Sequence, residues 1–340
     1  MSLRKKKVSL KDIAQQVGVS TALVSYVLNN KREDRISKEV AKKIRSTAKK
    51  MNYRTNQIAR SLKTNKTATL GLIVADISNP FFSQLARFIE DQAAAANYTV
   101  IFASSDENEQ KSQNLINVFL DRQVDGLIIA PAENTKPQIR ALQRSATPFV
   151  LVDRYFPDLK CSYVALDNFQ AAREAVRHLI REGNRRIGLI TFKTSFFHIN
   201  ERRNGYLSAL REAGIPINKK WIREINMADP APGIKKAVAD MLALPTRPEA
   251  LFFSTNMLYI QGMIYLRQQG IKVPDEIAIV SFDETEASEL FDVPPTYIRQ
   301  PIREMGQQAT RILIENIERR HTRQVHLPGE LIINTSSIRR

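Results

Sequence analysis

Five residues in the first part of the chain have side chains that suit contact with another molecule: Thr21, Ala22, Ser25, Tyr26 and Asn29. If this stretch is helical, they share one face, because residues three or four positions apart lie together on a helix. Hydroxyl and amide groups form hydrogen bonds with base edges and phosphate oxygens, and a small residue lets a partner approach closely. The set therefore indicates a contact surface for a polar partner.

The flanking residues predict two short helices joined at a tight corner. Apolar residues recur at helical spacing on each side of Gly18, which permits the positive φ of a sharp turn. Ser20 is placed to cap the second helix. This is the pattern of a helix-turn-helix, whose second helix enters the major groove of DNA. A helical hairpin with a glycine corner would show similar periodicity.

The distribution of charge favours the DNA-binding interpretation. The chain has 340 residues and a net charge of +16, and residues 1–66 hold 18 basic side chains against 4 acidic ones. The rest of the chain, with 33 basic and 31 acidic side chains, is almost neutral. A basic region with helical patterning fits a polyanionic partner. A third helix after Ser37 is expected to contact phosphates through its lysines at positions 38, 42, 43, 49 and 50.

A short apolar pattern over Asn56–Lys63 predicts a separate helix after the basic region. About eight residues are too few for a stable isolated helix in water. We interpret the segment as a hinge that orders on DNA, against its twin from a second subunit. Leu62 would then enter the minor groove as an apolar wedge, and Asn56 and Ala59 complete the predicted DNA contacts. A simple tether is the alternative.

From Thr69 onward the sequence alternates short apolar runs with helical stretches. One series precedes Asp153 and another follows it, which predicts an α/β core of two lobes built on doubly wound parallel sheets. A ligand then belongs in the crevice at the carboxyl ends of the strands, between the lobes. Phe192, Phe196 and Phe197 follow a predicted second-lobe strand and suit either a sugar face or a core or dimer contact.

Composition argues against several classes of protein. Cys161 is the only cysteine, so no intrachain disulfide forms and a reducing compartment is allowed. The four histidines lack metal-ligand spacing, no apolar run is long enough for a membrane span, and no secretory signal is evident. Phosphate-loop, dinucleotide-binding, nucleophile-elbow and zinc-protease motifs are absent. We expect a cytoplasmic protein that is not an enzyme and needs no metal or cofactor. A solute-binding protein for transport is an alternative that the basic region argues against.

Several stretches, in their order and spacing, resemble the lactose/galactose repressor (LacI/GalR) family of transcription regulators along nearly the whole chain. They include VSLKDIAQQVGVS at Val8–Ser20, NYRTNQIARSLKTNKT at Asn52–Thr67, LGLIVADISNPFFSQLARFIE at Leu70–Glu90, RRNGYLSALREAGI at Arg202–Ile215 and VPDEIAIVSFDE at Val273–Glu284. The resemblance implies a helix-turn-helix headpiece, a hinge helix and a two-lobed core similar to periplasmic binding proteins.

The resemblance also implies domain limits. The headpiece would occupy residues 1–54, the hinge and linker 55–67, and the core 68–340. The chain crosses between the lobes three times in that family, and here the crossings would fall near Val164, Pro294 and His321. The first lobe would then comprise about residues 68–164 and 295–321, and the second lobe about residues 165–294 and 322–340.

Individual roles follow from the same resemblance. Thr21 and Ala22 would read base edges, Ser25 would contact phosphate, and Tyr26 stands where many members have Arg or His, which argues against an Arg–guanine contact. Effector contacts are implied at Phe81, Asp153, Arg202, Asn256 and Asp283. Helix packing is the alternative role for Phe81, and an ion pair with Asp283 is the alternative role for Arg202.

The resemblance implies a repressor that binds pseudo-palindromic, double-stranded operator DNA as a homodimer. A small molecule bound between the core lobes would control its affinity for the operator. A sugar or sugar derivative is the first expectation for this effector, and a nucleobase is the second. Neither choice rests on particular residues.

Overall fold

The computed structural model describes five stretches of the chain: residues 8–29, 35–53, 66–284, 292–319 and 321–338. The chain divides into two compact units, Met1–Thr67 and Ala68–Arg340, which we call the headpiece and the core. Most of the predicted hinge, including Asn56, Ala59 and Leu62, lies outside the described residues.

Three helices form the described part of the headpiece: α1 (Leu10–Val17), α2 (Thr21–Leu28) and α3 (Lys38–Lys50). α1 begins with a capping box, in which the Asp12 carboxylate accepts a hydrogen bond from the Ser9 N–H (2.8 Å) and Ser9 Oγ accepts one from the Asp12 N–H (3.4 Å). It ends at Gly18, whose φ of +81° makes the corner that the sequence predicts.

Side-chain caps also begin the other two headpiece helices. Ser20 Oγ accepts a hydrogen bond from the Leu23 N–H (3.2 Å), and Ser37 Oγ accepts one from the Val40 N–H (3.3 Å). Both caps confirm the predicted helix starts. The three helices enclose a small apolar cluster of Ile13, Ala14, Val17, Val24, Val27, Ile44 and Ala48.

The core contains two sheets and the helices that pack on them. Its strands, in chain order, are β1 (Thr69–Val74), β2 (Thr99–Ser104), β3 (Gly126–Ile129), β4 (Phe149–Val152), β5 (Tyr163–Leu166), β6 (Ile187–Phe192), β7 (Ile222–Ile225), β8 (Ala250–Phe253), β9 (Ala278–Phe282), β10 (Thr296–Arg299), β11 (Gln324–Leu327) and β12 (Glu330–Ile332). Its helices are α4 (Pro80–Ala95), α5 (Glu109–Asp121), α6 (Lys136–Arg144), α7 (Asn168–Arg181), α8 (Phe197–Glu212), α9 (Pro230–Leu242), α10 (Asn256–Gln268) and α11 (Ile302–Glu318).

The strands form two six-stranded sheets with matching topology. The first has the order β11-β5-β4-β3-β1-β2 and the second β12-β10-β9-β8-β6-β7. Every pairing in the first sheet is parallel, whereas β12 runs antiparallel to β10 in the second. β3, β4, β8 and β9 are buried along their whole length because helices cover both faces of each sheet. The predicted α/β fold with two doubly wound lobes is confirmed.

Seven strands, β1–β4, β6, β8 and β9, coincide with the apolar runs that alternate with helical stretches in the sequence, but five further strands were not predicted. They are β5, β7, β10, β11 and β12. Each has only three or four residues, and β7, β11 and β12 expose charged or polar side chains at the sheet margins. Short half-polar segments of this kind become strands because a neighbouring strand supplies their hydrogen bonds.

Strand pairing corrects the predicted crossings between the lobes. β10 pairs with β9 in the second sheet, so the second crossing lies at Gln300–Pro301 and not near Pro294. β11 pairs with β5 in the first sheet, so the third crossing lies at Pro328–Gly329 and not near His321. Residues 296–299 therefore belong to the second lobe, and residues 324–327 belong to the first.

The first crossing differs less from its prediction. β5 still belongs to the first sheet through Leu166, and α7 then packs in the core of the second lobe. The crossing lies near Asp167, just after the position near Val164 that was predicted. No helix in the described part of the chain is long and apolar enough to cross a membrane.

Candidate functional site

The exposed side of α2 carries the five residues predicted to contact DNA. Thr21 and Ala22 are exposed, whereas Ser25, Tyr26 and Asn29 are half-buried. Asn29 Nδ2 donates a hydrogen bond to the Ser25 carbonyl oxygen (2.7 Å) at the end of the helix. The Asn29 amide nitrogen is therefore already used in a hydrogen bond within the headpiece.

A basic surface lies on α3. Glu39 is the single acidic residue in this helix. Its six basic side chains are exposed: Lys38, Lys42, Lys43, Arg45, Lys49 and Lys50. Their side chains surround the buried Ile44 and Ala48, which hold α3 in the headpiece. This arrangement presents flexible positive charges, the type of group that most often contacts phosphate oxygens.

The core contains a cavity of about 270 Å³ at the carboxyl ends of strands from both sheets. All five predicted effector residues line it: Phe81, Asp153, Arg202, Asn256 and Asp283. Phe81 begins α4 and Asp153 follows β4, so both come from the first lobe. The other three come from the second lobe. The structure therefore brings the predicted set together, and its role in ligand binding remains a prediction.

Asp153 is the more deeply buried of the two aspartates that the sequence indicates. Its φ is +66°, and its N–H donates a hydrogen bond to the Val164 carbonyl oxygen (2.9 Å). Burial raises the pKa of Asp153 to about 6, and the positive charges of Arg154 and Arg202 offset only part of that effect. The Asp153 carboxyl therefore exchanges a proton close to neutral pH.

Asp283 faces the cavity from the second lobe. Its φ is +70°, its N–H donates to the Ile298 carbonyl oxygen (3.0 Å), and its Oδ1 accepts a hydrogen bond from Gln300 Nε2 (2.5 Å). Gln300 lies at the second crossing and also lines the cavity. Gln300, in the segment that crosses between the lobes, thus orients one carboxylate oxygen of Asp283.

Arg202 is buried on α8 and held by two fixed acceptors. Its Nε donates to Asn168 Oδ1 (2.8 Å), its Nη1 donates to the Ser254 carbonyl oxygen (2.7 Å), and its guanidinium lies 3.8 Å above the centre of the Phe282 ring. Among these described side chains, no ion pair within 4.0 Å joins Arg202 to Asp283. The alternative of a direct Arg202–Asp283 salt bridge is therefore wrong for this structure.

Arg154 is a cavity residue to which sequence reasoning gave no role. It forms a bidentate pair with Glu107, with both N···O distances at 2.7 Å, and its Nε lies 3.6 Å from Asp153 Oδ2. Burial alone would lower the pKa of Arg154, but the Glu107 carboxylate outweighs it and the net shift is upward. The position of Arg154 next to Asp153 was a usable signal, whereas Glu107, 47 residues away, had none.

His198 is a second residue that the sequence did not reveal. It is buried near the start of α8, and its Nδ1 has no hydrogen-bond partner among the described residues. Burial, followed by the positive charges of Arg154 and Arg202, holds the pKa of His198 well below its usual value. The ring is therefore neutral at physiological pH and can donate or accept one hydrogen bond on each side.

Aromatic rings form much of the apolar wall of the cavity. Phe81, Phe82, Phe192 and Phe196 line it, and the Phe196 ring lies 4.2 Å below the Arg154 guanidinium. Phe197, the third ring of the aromatic loop, instead lines a smaller neighbouring cavity and contacts Tyr155 edge-on. Two of the three predicted aromatic residues are thus placed to cover a flat ligand face.

Glu133 joins the two lobes beside the cavity. Its Oε1 accepts hydrogen bonds from Ser195 N (2.6 Å), Ser195 Oγ (2.7 Å) and Thr194 Oγ1 (2.9 Å). Glu133 follows β3 in the first lobe, and the two donor residues follow β6 in the second. Burial raises the pKa of Glu133, but these hydrogen bonds bring it below its usual range overall. An ionised Glu133 therefore holds the second-lobe loop at Thr194 and Ser195 through hydrogen bonds.

Comparison with known proteins accounts for both units. The family model described as "Bacterial regulatory proteins, lacI family" matches residues 9–56. The model described as "Periplasmic binding proteins and sugar binding domain of LacI family" matches residues 67–335, which is more than half of the chain. The chain belongs to the LacI family. Its headpiece is the family's DNA-binding domain, and the protein is a transcription regulator.

Individual relatives of this LacI-family chain agree along nearly its whole length. It is 32% identical to a probable HTH-type transcriptional regulator, EndR, of Paenibacillus polymyxa, over 92% of this chain and 91% of that one. It is 30% identical to the HTH-type transcriptional repressor CytR of Escherichia coli, with the same coverage. The solved lac repressor dimer, bound to operator and an anti-inducer, shares the fold with a TM-score of 0.87 at 22% identity, covering 98% of this chain and 100% of that one.

Proposed function

We propose that the cavity between the two lobes is the effector site of this LacI-family regulator, and that its occupant controls how tightly the headpiece binds operator DNA. The observation that carries this proposal is the lining itself. Phe81 and Asp153 come from the first lobe, whereas Arg202, Asn256 and Asp283 come from the second. A ligand that contacts both sets stabilises one relative placement of the lobes over others.

The chemistry of the lining suits a sugar or a nucleoside. Carboxylate oxygens at Asp153 and Asp283 accept hydrogen bonds from neighbouring hydroxyls, and Arg202 and Asn256 add polar contacts. The rings of Phe81 and Phe196 supply flat apolar surfaces for a pyranose face or a base. The family description names a sugar-binding domain, which supports the sugar as the first candidate.

Operator binding by a homodimer completes the proposal. β2 is an outer strand of the first sheet, and Ile101 and Phe102 on it are exposed, Phe102 by 58%. Val118 and Leu120 on the following helix α5 are exposed as well. Large exposed apolar side chains on adjacent elements are typical of a subunit interface. Two headpieces held together would read two half-sites about one helical turn apart.

One experiment tests the link between cavity and DNA. The full chain is used to enrich its operator from random duplex DNA, and operator affinity is then measured by fluorescence anisotropy with and without a panel of mono- and disaccharides and nucleosides. We expect one compound class to change the affinity about 5- to 150-fold, the range of ordinary allosteric coupling. The Asn256→Ala variant should bind operator normally and respond less.

Three outcomes would contradict the proposal. A compound that binds the protein without changing operator affinity would exclude allosteric control by that ligand. A response that survives unchanged in Asn256→Ala, Arg202→Lys and Asp283→Asn would place the effector outside this cavity. Chemical conversion of the bound compound would instead indicate an enzyme.

A further inference from the structure

The charged groups of the cavity are unbalanced in favour of acids. Four carboxylates line it, from Asp76, Glu107, Asp153 and Asp283, against the guanidinium groups of Arg154 and Arg202. Among the lining residues that the structure describes, the two arginines carry the positive charge, because His198 is held neutral by burial and by the positive charges of Arg154 and Arg202.

The end of the Arg154 guanidinium is not available to a ligand, because it is already paired with the Glu107 carboxylate. Both terminal nitrogens of Arg154 donate to the two oxygens of Glu107, and Nη1 also donates to the Pro131 carbonyl oxygen (3.3 Å). The Arg154 side chain is 10% exposed and the Glu107 side chain 32% exposed. A fork-to-fork pair of this kind uses the same face that a phosphate would use.

The backbone around Glu107 shows that this pairing is built into the fold. Asp106 and Glu107 both adopt positive φ, at 51° and 55°, a region that costs free energy for residues other than glycine. The Glu107 N–H donates to the Ala75 carbonyl oxygen (3.0 Å), and Ser104 Oγ donates to Asp106 Oδ1 (2.6 Å). These contacts hold the strained turn that directs the Glu107 carboxylate at Arg154.

The remaining positive groups are partly engaged by the protein itself. Arg202 donates to Asn168 and to the Ser254 carbonyl oxygen, as described above. At the starts of α4 and α10, which lie at the cavity, the Asn79 side chain accepts a hydrogen bond from the Phe81 N–H and the Thr255 side chain accepts one from the Leu258 N–H. α8 begins without a side-chain cap, but its free N–H groups suit a hydroxyl oxygen as well as a phosphate.

From this arrangement we propose that Glu107 is a built-in counter-ion that makes the cavity select against phosphorylated effectors. The effector is then an uncharged or cationic molecule rich in hydrogen-bond donors: a free sugar, an amino sugar or a nucleoside. The inference rests on the proposed function, since it concerns the ligand of the same cavity. It narrows that ligand by charge, which neither the fold nor the family description decides.

Matched compounds provide the test. Thermal shift and calorimetric titration of the full chain compare free sugars and nucleosides with their phosphate esters and, for the sugars, their amino derivatives. We expect a free or aminated compound to bind and its phosphate ester to bind at least about tenfold more weakly, as expected for a charged group that finds no partner. A phosphate ester that binds as tightly as its parent compound would overturn the inference while leaving the cavity as the effector site. A shift from none of these compounds would contradict the proposed function and the inference together.

A pair of charge-matched variants sharpens the result. Glu107→Gln removes the carboxylate that pairs with the Arg154 guanidinium. We expect the ratio of affinities for the parent compound and its phosphate ester to fall by about tenfold in this variant. Asp106→Asn removes one negative charge from the adjacent residue, whose carboxylate pairs with Lys111, and leaves the Arg154–Glu107 pair in place. If both variants improved phosphate binding equally, general charge and not the release of Arg154 would explain the selectivity, and the role of Glu107 would be excluded. Retained binding of the uncharged compound by Glu107→Gln confirms that its cavity is folded.

Discussion

Asp153 and Asp283 occupy equivalent positions in the two lobes and face one cavity from opposite sheets. Each follows a corresponding strand, β4 or β9, each has positive φ, and each donates its N–H to a carbonyl oxygen of the next strand in the sheet. Their neighbours differ in charge, because Arg154 follows one and Glu284 the other. The same backbone device therefore presents two carboxylates in different electrostatic surroundings.

The buried carboxyl of Asp153 should make stability depend on pH. Its pKa is raised to about 6 in the folded state, against about 3.9 in an unfolded chain. Because the folded state binds the proton more tightly, the contribution of Asp153 is fully present below about pH 4 and is lost as pH rises through about 6. We expect a loss on the order of 2–3 kcal/mol across that window, measured by urea unfolding at a series of pH values.

The comparison with Asp153→Asn isolates this effect. Burial lowers the pKa values of His178 and His198, so these residues reduce stability as pH falls below about 6.5. Asp153 has the opposite pH dependence, and the wild-type profile is the sum of the two. The difference between wild type and Asp153→Asn removes the histidine contribution. A difference that stays constant from pH 4 to pH 7 would show that the Asp153 pKa is not raised.

Asn168 should stabilise the core by accepting a hydrogen bond from buried Arg202. The Asn168→Ala substitution leaves Arg202 Nε without its acceptor and removes a second hydrogen bond, from Asn168 Nδ2 to the Leu166 carbonyl oxygen (3.0 Å). We expect a loss of about 2–4 kcal/mol in the free energy of unfolding. Asn204→Ala on the exposed side of α8 is the control, with an expected change within about 0.5 kcal/mol. Equal effects of the two substitutions would contradict this role.

Glu133 should hold the cavity closed through its three hydrogen bonds to the second-lobe loop. Glu133→Ala removes the acceptor of the Ser195 N–H, so the exchange of that amide with deuterium should accelerate about tenfold or more. Glu133→Gln keeps an acceptor oxygen but loses the charge, and it should give an intermediate rate. Exchange at Ser195 that is the same in all three proteins would mean that Glu133 does not restrain the loop.

In the headpiece, α3 should contact DNA phosphates and α2 should recognise the base sequence. Lys42→Ala on α3 is expected to weaken binding to all duplexes and to reduce the slope of log affinity against log salt concentration by about 0.9, the value for one phosphate contact. Thr21→Ala on α2 should leave that slope unchanged and alter the preferred operator sequence. Anisotropy titrations at several salt concentrations distinguish the two. A change of slope in Thr21→Ala alone would reverse the assigned roles.

Local signals in the sequence were sufficient for much of the fold. The Ser20 and Ser37 caps, the Gly18 corner and the longer buried strands depend on residues within a few positions of each other, so the sequence shows them directly. The short strands β10, β11 and β12 carry no such local signal, and β11 pairs with β5, which lies far away in the chain. Their positions, and therefore the points where the chain crosses between lobes, followed only from strand pairing.

The sequence and the family resemblance together also indicated Phe81, Asp153, Arg202, Asn256 and Asp283, and the tertiary structure placed all five around one cavity. What the sequence could not show is which charges neutralise each other there. Arg154 pairs with Glu107, and Arg202 donates to Asn168 and the Ser254 carbonyl oxygen and not to Asp283. These pairings depend on which loops the sheet order brings together, across 47 residues for Arg154 and Glu107, and no periodicity or cap encodes a contact over that separation.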